Sequence, residues 1–184
     1  MEIQEAKVFH DYLNGVISGK DVQKSTKYYA QAQSFYKDVD TSIPDDQVMY
    51  EVYSYTAAKD HTNGKLNYGL TVMQPICVHG ECNMTRGHFH ENTQCDEIYC
   101  CMHGEGLLLF MDEKNHCHAE KMVEGSVHYI DGAYAHRLVN IGEDELKVQC
   151  IWPVNAGHDY KRVEDHPFTV RIFKENHKIK VEEV

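Results

Sequence analysis

The sequence predicts an all-β protein, a sandwich or barrel of short antiparallel strands. From Val48 onward, segments rich in Val, Ile, Tyr, Phe and Thr alternate with turns that contain Gly, Asn and Asp. Ten such segments follow one another at regular spacing, which is typical of sandwiches and barrels and not of a parallel α/β sheet. A chain of 184 residues has the length of a single domain.

The predicted strands share this β-branched and aromatic composition and are bounded by turn residues. In chain order they are Val48–Thr56, Leu66–Gln74, Asn83–His90, Glu97–Met102, Gly106–Met111, Cys117–Met122, Val127–Ile130, His136–Asn140, Leu146–Trp152 and Phe168–Phe173. Two segments, His61–Gly64 and Asp112–Asn115, have the composition of hairpin tips. We expect the charged tail from Lys174 to be an edge strand or a frayed end.

Residues 1–47 are predicted to form an N-terminal arm, largely irregular, and residues 48–184 the barrel domain. One helical segment is expected at Lys27–Tyr36, where Tyr28, Ala32 and Phe35 share a helix face. We expect this helix to pack on the barrel or on a dimer partner.

Composition limits the possible partners. The formal net charge of −11 argues against nucleic acid, whose phosphates require a basic surface, and weakly against anionic membranes. No segment approaches the 18 or so apolar residues of a membrane span. The seven cysteines contain no Cys-x-x-Cys pair, and the N-terminus lacks the pattern of a signal peptide. We therefore expect free thiols and a cytoplasmic protein.

The residues most suggestive of chemistry are His88 and His90. Side chains at i and i+2 of a strand project from the same face, so this pair can begin a metal site. A turn after His90 can return Glu97 to the two imidazoles, and His136 is a further candidate about 40 residues on. Three histidines and one carboxylate suit Fe, Mn, Ni, Zn or Cu. Because the chain has 13 His, two histidines on one strand are weak support for a metal site. The hypothesis rests on all four candidate residues occurring in order along two predicted strand pairs.

Two stretches resemble the two cupin motifs. The first is His88-x-His90 with Glu97 and Gly104, and the second runs from Gly125 through His136 to Asn140. Two departures are visible. The gap before Glu97 is six residues, longer than usual, and Asp131 and Ala133 stand where Pro and Gly are common.

A narrower resemblance covers residues 48–173. The segments Tyr50–Tyr53, Thr85–His90, Glu97–Tyr99, Ala135–Gly142 and Ala156–Tyr160 are similar to those of the cupin-type glucose-6-phosphate isomerases, in which the longer gap is normal. This resemblance implies a cupin jelly-roll barrel, a homodimer, and one divalent metal ion per chain, Fe2+ first, with Mn2+, Ni2+ or Zn2+ as alternatives. It also implies a small phosphorylated sugar as the ligand.

The resemblance also implies a role for each site residue. His88, His90, Glu97 and His136 stand at the positions of the metal ligands. Thr71, Thr85, Arg86, Gly87 and Tyr160 stand on the phosphate side, and Glu97, Tyr99 and His158 are the catalytic candidates. Trp152 replaces a Tyr of related enzymes, and an indole cannot exchange a proton at neutral pH. Either that role is dispensable or Tyr99 or His158 takes it.

The implied activity is the isomerisation of glucose 6-phosphate to fructose 6-phosphate in glycolysis and gluconeogenesis. It can proceed through an enediolate, with Glu97 as base, or through a metal-assisted hydride shift. A carboxylate bound tightly to metal is a poor base, so the sequence leaves both routes open. Two other classes share the same residues: a cupin oxygenase, and a sugar-phosphate-binding cupin without turnover.

Overall fold

The computed structural model describes residues 1–57 and 64–184. The hairpin tip predicted at His61–Gly64 therefore lies mostly outside the described residues. The tip predicted at Asp112–Asn115 is confirmed: Asn115 N–H donates to the Asp112 carbonyl, and Asn115 has a φ of +64°.

Antiparallel strands dominate the described part of the chain. The strands are β1 (Val8–Asp11), β2 (Val16–Gly19), β3 (Val22–Tyr28), β4 (Val48–Thr56), β5 (Leu66–Met73), β6 (Cys77–Val78), β7 (Glu81–Cys82), β8 (Glu97–His103), β9 (Gly106–Met111), β10 (Cys117–Met122), β11 (Val127–Ile130), β12 (Ala135–Asn140), β13 (Leu146–Pro153), β14 (Val170–Glu175) and β15 (Lys178–Glu183). The helices are α1 (Tyr29–Ala32), continued by a 3-10 turn at Gln33–Phe35, and α2 (Tyr160–Asp165). None of these helices is long and apolar enough to cross a membrane.

The strands form two main layers of a barrel. The larger sheet has the order β11-β8-β13-β5-β4-β3, and the facing sheet has the order β10-β9-β12. A third sheet, β15-β14-β7-β6, adds the charged C-terminal tail as an edge strand, and β1 and β2 form a separate hairpin. The predicted all-β jelly-roll barrel is confirmed.

Strand β9 shows how the sequence builds the core. It is apolar along its whole length, because both of its faces are covered. Leu108 and Phe110 project into the main core between the sheets, whereas Leu109 and Met111 project into a second cluster around Phe89. This alternation follows from the two-residue repeat of a strand.

The N-terminal segment differs from the irregular arm that was predicted. It contains strands β1 to β3, and β3 pairs with β4 at the edge of the larger sheet. Lys27 lies opposite Tyr50 in that ladder, so its backbone is unavailable to a helix. The helix predicted from Lys27 is therefore reduced to α1 and the 3-10 turn. Strand pairing to a residue distant in sequence outweighs the local helix propensity here.

The prediction of a regular strand at Asn83–His90 is also wrong. This segment makes only isolated bridges, Met84 to Val139, His88 to His136 and Phe89 to Asp159. Gly87 has a φ of +77°, which interrupts the extended backbone. All seven cysteines lie within the described residues and are free, as predicted, and four of them are buried.

Asn83 is a buried polar residue that joins three parts of the fold. Its amide donates to the carbonyls of Met49 (2.7 Å) and Gln74 (2.8 Å), and its side-chain oxygen accepts from the Tyr36 hydroxyl (3.0 Å). It also comes directly before the Met84–Phe89 segment. Asn83 therefore fixes where that segment begins.

We expect Asn83→Ala to lower the free energy of unfolding by about 3 kcal/mol, because three buried polar groups lose their partner. Urea denaturation measures this change. Asn14→Ala is the control, since Asn14 is exposed and, within the described residues, its side chain bonds to nearby Asp11 alone; its effect should stay within about 0.5 kcal/mol. Equal losses in the two variants would show that the Asn83 contacts add nothing to stability.

Candidate metal and substrate site

Backbone pairing between His88 and His136 organises the site. His88 N–H donates to the His136 carbonyl (3.2 Å), and His136 N–H donates to the His88 carbonyl (3.1 Å). Residues directly opposed in an antiparallel bridge project from the same face. The two rings accordingly meet edge to face, with centroids 4.5 Å apart.

His90 and Glu97 reach the same point from the turn that joins them. The ring Nδ1 of His90 lies 2.5 Å from the carbonyl oxygen of Cys95. Donation of Nδ1–H to that carbonyl leaves Nε2 free to act as a ligand. Glu97 begins β8 opposite Ile130. The predicted return of Glu97 to the histidines is therefore what the structure shows.

Four side-chain atoms converge without hydrogen-bond partners. They are Nε2 of His88, His90 and His136 and Oε2 of Glu97. The ligand atoms of the four residues lie within 4.8 Å of one another, and His90, Glu97 and His136 are almost fully buried. Unpaired buried polar atoms are costly, so a cluster of four requires a compensating partner.

Charge at the cluster follows from burial and contact. Burial opposes ionisation of Glu97, but the imidazoles of His136 and His90 outweigh burial and lower the pKa of that carboxyl. Oε2 of Glu97 lies 3.0 Å from Nε2 of His136 and 3.5 Å from Nε2 of His90. Burial, aided by the neighbouring His136, holds the pKa of His88 well below its usual value. The cluster thus presents an ionised carboxylate beside a neutral His88 imidazole.

This donor set fits a divalent metal ion. Three imidazole nitrogens and one carboxylate oxygen suit first-row transition metals. All four atoms lack other partners, so a cation would satisfy them together. Within residues 1–57 and 64–184, His88, His90, Glu97 and His136 form the one group of this kind that the structure contains.

A cavity of about 410 Å³ opens beside the cluster. Every phosphate-side and catalytic candidate from the sequence lines it: Thr71, Thr85, Arg86, Gly87, Glu97, Tyr99, His158 and Tyr160. His88 lies on its wall, whereas His90 and His136 do not line the cavity. Trp152 is also on the wall, with its ring packed against Gly69.

The Thr85–Gly87 segment forms one side of this cavity. Leu138 N–H donates to Thr85 Oγ1 (3.0 Å), so the hydroxyl hydrogen of Thr85 remains available to a ligand. Arg86 contacts Glu164 and lies over the Tyr160 ring, at 4.6 Å from its centroid. A Cβ on Gly87 would come within 2.9 Å of Phe168 and 3.1 Å of Arg137.

His158 and Tyr160 stand at the mouth of the cavity. The bridge from Phe89 to Asp159 places them alongside His88, whose ring centroid is 4.4 Å from that of His158. Burial of the ring lowers the pKa of His158, so its imidazole is neutral at pH 7. The His158 and Tyr160 rings are nearly parallel, with centroids 5.8 Å apart.

Tyr99 lies deep in the wall, next to Glu97. It is buried, and burial with the adjacent Glu97 carboxylate raises its pKa well above the usual value. Tyr99 therefore keeps its proton at neutral pH, and its hydroxyl can donate a hydrogen bond.

Comparison with known proteins identifies the family. The sequence model of the glucose-6-phosphate isomerases (GPI) matches residues 21–183. The chain belongs to the glucose-6-phosphate isomerase family. It is 31% identical over 175 residues to the glucose-6-phosphate isomerase of Pyrococcus furiosus, which covers 93% of this chain and 90% of that protein. The enzyme of Thermococcus litoralis is 29% identical over 178 residues, with 94% and 91% covered. The predicted resemblance is confirmed, and so is the prediction of an isomerase.

Solved structures with low sequence identity also resemble this chain in part. An oxalate oxidase in complex with glycolate has a TM-score of 0.46 and 15% identity, with 79% of this chain and 58% of that chain covered.

The sequence did not indicate every residue around the 410 Å³ cavity. Lys27 of β3 lines it, together with Ser25 and Tyr50. Lys27 falls outside the range of the motif-based resemblance, which begins at residue 48. Its position depends on the pairing of β3 with β4, which no local sequence pattern predicts.

We expect Gly87→Ala to lower the free energy of unfolding more than Gly125→Ala does. Both glycines have a φ near +80°, but a Cβ on Gly125 meets nothing within 4 Å. Gly125→Ala should cost about 1 kcal/mol for the backbone alone. Gly87→Ala should cost at least about 2 kcal/mol more, because Phe168 and Arg137 must move. Urea denaturation compares the two, and equal costs would mean that the Gly87 contacts relax freely.

Proposed function

We propose that the protein is a metal-dependent isomerase that interconverts glucose 6-phosphate and fructose 6-phosphate. The observation that carries the proposal is the convergence of four unpartnered ligand atoms beside a cavity that is lined by Thr71, Thr85, Arg86 and Tyr160. Family membership supports the substrate, because the archaeal relatives bear the name of this activity.

The metal site of the proposal consists of His88, His90, Glu97 and His136, with one divalent ion per chain. Fe2+ is the first candidate, and Mn2+, Ni2+ and Zn2+ are alternatives. When bound, the ion supplies positive charge that polarises a sugar carbonyl. The carbonyl of Cys95 supports the site by holding the His90 ring in one orientation.

The phosphate lies in this proposal against Thr71, Thr85, Arg86, Gly87 and Tyr160. Thr85 donates its hydroxyl hydrogen, and Arg86 contributes charge. Arg86 is already paired with Glu164, so it cannot balance a phosphate dianion alone. Lys27 lines the same cavity, and we assign it the second positive charge.

Proton transfer in the proposal belongs to Glu97. Its carboxylate is ionised and lines the cavity. Because a carboxylate has two oxygens, Oε2 can stay with the cluster while the other accepts the proton from C2 and returns it to C1. Tyr99 donates to hold the carboxylate, and neutral His158 at the mouth can carry a proton between sugar oxygens. Trp152 then shapes the wall and takes no part in proton transfer.

Two other functions were left open by the sequence. A cupin oxygenase would consume O2, and a sugar-phosphate-binding cupin would show no turnover. The polar rim of the cavity, with Thr85, Arg86 and Lys27, favours a phosphorylated ligand. We suggest reloading the protein with metal, assaying it on fructose 6-phosphate with a coupling enzyme and measuring O2 consumption in parallel. Product formation without O2 consumption indicates the isomerase, O2 consumption indicates the oxygenase, and neither indicates the binding protein.

A homodimer remains a prediction. Ile98, Val127 and Tyr129 are exposed apolar residues that lie side by side on β8 and β11, where the larger sheet ends. Such a patch supports an interface between two copies.

Metal removal should abolish activity and lower the melting temperature, because four buried polar atoms lose their partner. The experiment combines dialysis against a chelator, elemental analysis and thermal denaturation, with and without readdition of Fe2+ or Mn2+. His116→Ala is the control variant, since that exposed histidine pairs only with Asp112 and should leave metal content unchanged. Full activity without metal would exclude the proposed site.

Lys27→Met should raise the KM for glucose 6-phosphate about tenfold and leave kcat nearly unchanged. The phosphate contact is made equally in the ground state and in the transition state, so its loss weakens substrate binding without raising the barrier from the bound substrate to the transition state. Lys24→Met is the matched control: Lys24 lies on the same strand but pairs with Glu51 at 2.7 Å. Steady-state kinetics measures both constants, and an unchanged KM in Lys27→Met would show that Lys27 does not bind the phosphate.

Glu97→Gln should lower kcat by about a hundredfold to ten-thousandfold, the range for a general base. Metal content should fall much less, because the amide retains a ligand oxygen. In deuterium oxide, the wild-type enzyme should place solvent deuterium in its product. Glu91→Gln, an exposed carboxylate nearby, serves as control. Near-normal turnover of a fully metallated Glu97→Gln, or no solvent isotope in the product, would favour the hydride shift.

A further inference from the structure

A second cavity lies behind the Thr85–Gly87 segment. Its volume is about 260 Å³, and it is enclosed by the 3-10 turn, α2 and the start of β14. Arg86, Arg137 and Arg171 line it. The chain contains four arginines in total, so three of the four surround one small cavity in a protein with a net charge of −11.

Arg137 lacks a counter-charge. Among residues 1–57 and 64–184, no carboxylate forms an ion pair with it. Its guanidinium donates to the Arg86 carbonyl (2.7 Å) and contacts the Met84 sulfur (2.9 Å), and its carbon lies 4.2 Å from the centroid of the Phe168 ring. The Nε atom is buried and has no hydrogen-bond partner. Burial and the nearby Arg171 lower the pKa of Arg137 to about 10, so it remains charged at pH 7.

The other two arginines are each paired with one carboxylate. Arg171 donates to the buried Glu81 (2.7 Å), and Arg86 contacts the exposed Glu164. Three guanidinium groups thus face two carboxylates, which leaves the cavity with one excess positive charge. Bidentate guanidinium groups match the oxygens of a phosphate better than lysines do.

Apart from the arginines, Glu164 and Ser34, the lining of this cavity is apolar and suits the carbon skeleton of an organic ligand. Phe35, Val163, Pro167 and Phe168 form one wall, and Ser34 lies at the exposed edge. We propose that this cavity is a second ligand site that binds a small phosphate ester, with the phosphate on the arginines and the carbon skeleton against the apolar wall.

This site is coupled to the isomerase cavity through Arg86, which lines both. Arg137 holds the Arg86 carbonyl and packs against Gly87, so a ligand on Arg137 acts on the Thr85–Gly87 segment. A phosphate in the second cavity draws Arg86 away from the substrate phosphate and raises KM. This effect on KM rests on the proposed function, whereas binding in the second cavity does not.

Ser34 offers a matched pair of variants that test binding. Ser34 is exposed and lines only the second cavity, so Ser34→Asp adds a negative charge there and Ser34→Asn adds nearly the same volume without charge. The probe is inorganic phosphate, titrated calorimetrically into metal-loaded protein in the absence of sugar phosphate. We expect phosphate to bind the second cavity about tenfold more weakly in Ser34→Asp than in Ser34→Asn.

Equal phosphate affinity in Ser34→Asp and Ser34→Asn would overturn the second site. In kinetics, phosphate should raise KM more in Ser34→Asn than in Ser34→Asp. A protein without isomerase activity would refute the proposed function, while the affinities of the two variants for phosphate would still decide the second cavity.

Discussion

The pair of backbone hydrogen bonds between His88 and His136 is the constraint on which the rest of the site depends. It joins an irregular segment to β12 and sets two imidazoles on one inward face. The same segment carries Thr85 and Gly87 before the bridge and His90 after it. Two of the candidate metal ligands and the groups proposed for the phosphate are therefore positioned by one short stretch of backbone, whose irregular course directs their side chains to different sides.

Gly87 is what allows this change of direction. Its positive φ turns the chain between the threonine and the first histidine, and its missing side chain admits Arg137 and Phe168 behind it. A regular strand would alternate its side chains between two faces only. The interruption lets Arg86 line both the cavity beside the histidine cluster and the cavity behind it.

Much of the barrel could be predicted from the sequence because it follows from local repeats, and the candidate metal cluster could be predicted from a two-residue step together with the resemblance to the cupin motifs. The alternation of Leu146, Val148 and Cys150 marks one buried face of β13, and the two-residue step from His88 to His90 marks a ligand pair. The strand at Asn83–His90 was predicted wrongly, since β propensity does not register the effect of one glycine in a left-handed conformation. Lys27 and Arg137 were missed because their surroundings come from chain segments far away in sequence.

The position of Lys27 has a consequence for how such an enzyme can diverge. The four clustered metal-ligand candidates lie between residues 88 and 136, inside the barrel, whereas Lys27 lies on a strand added at the open edge of the larger sheet. Under the proposed role of Lys27, substitutions on that strand alter one contact to the anionic part of the substrate without touching the four candidate ligands. Part of the substrate recognition can thereby vary on an edge strand, although Thr85 and Arg86 remain on the segment that carries His88.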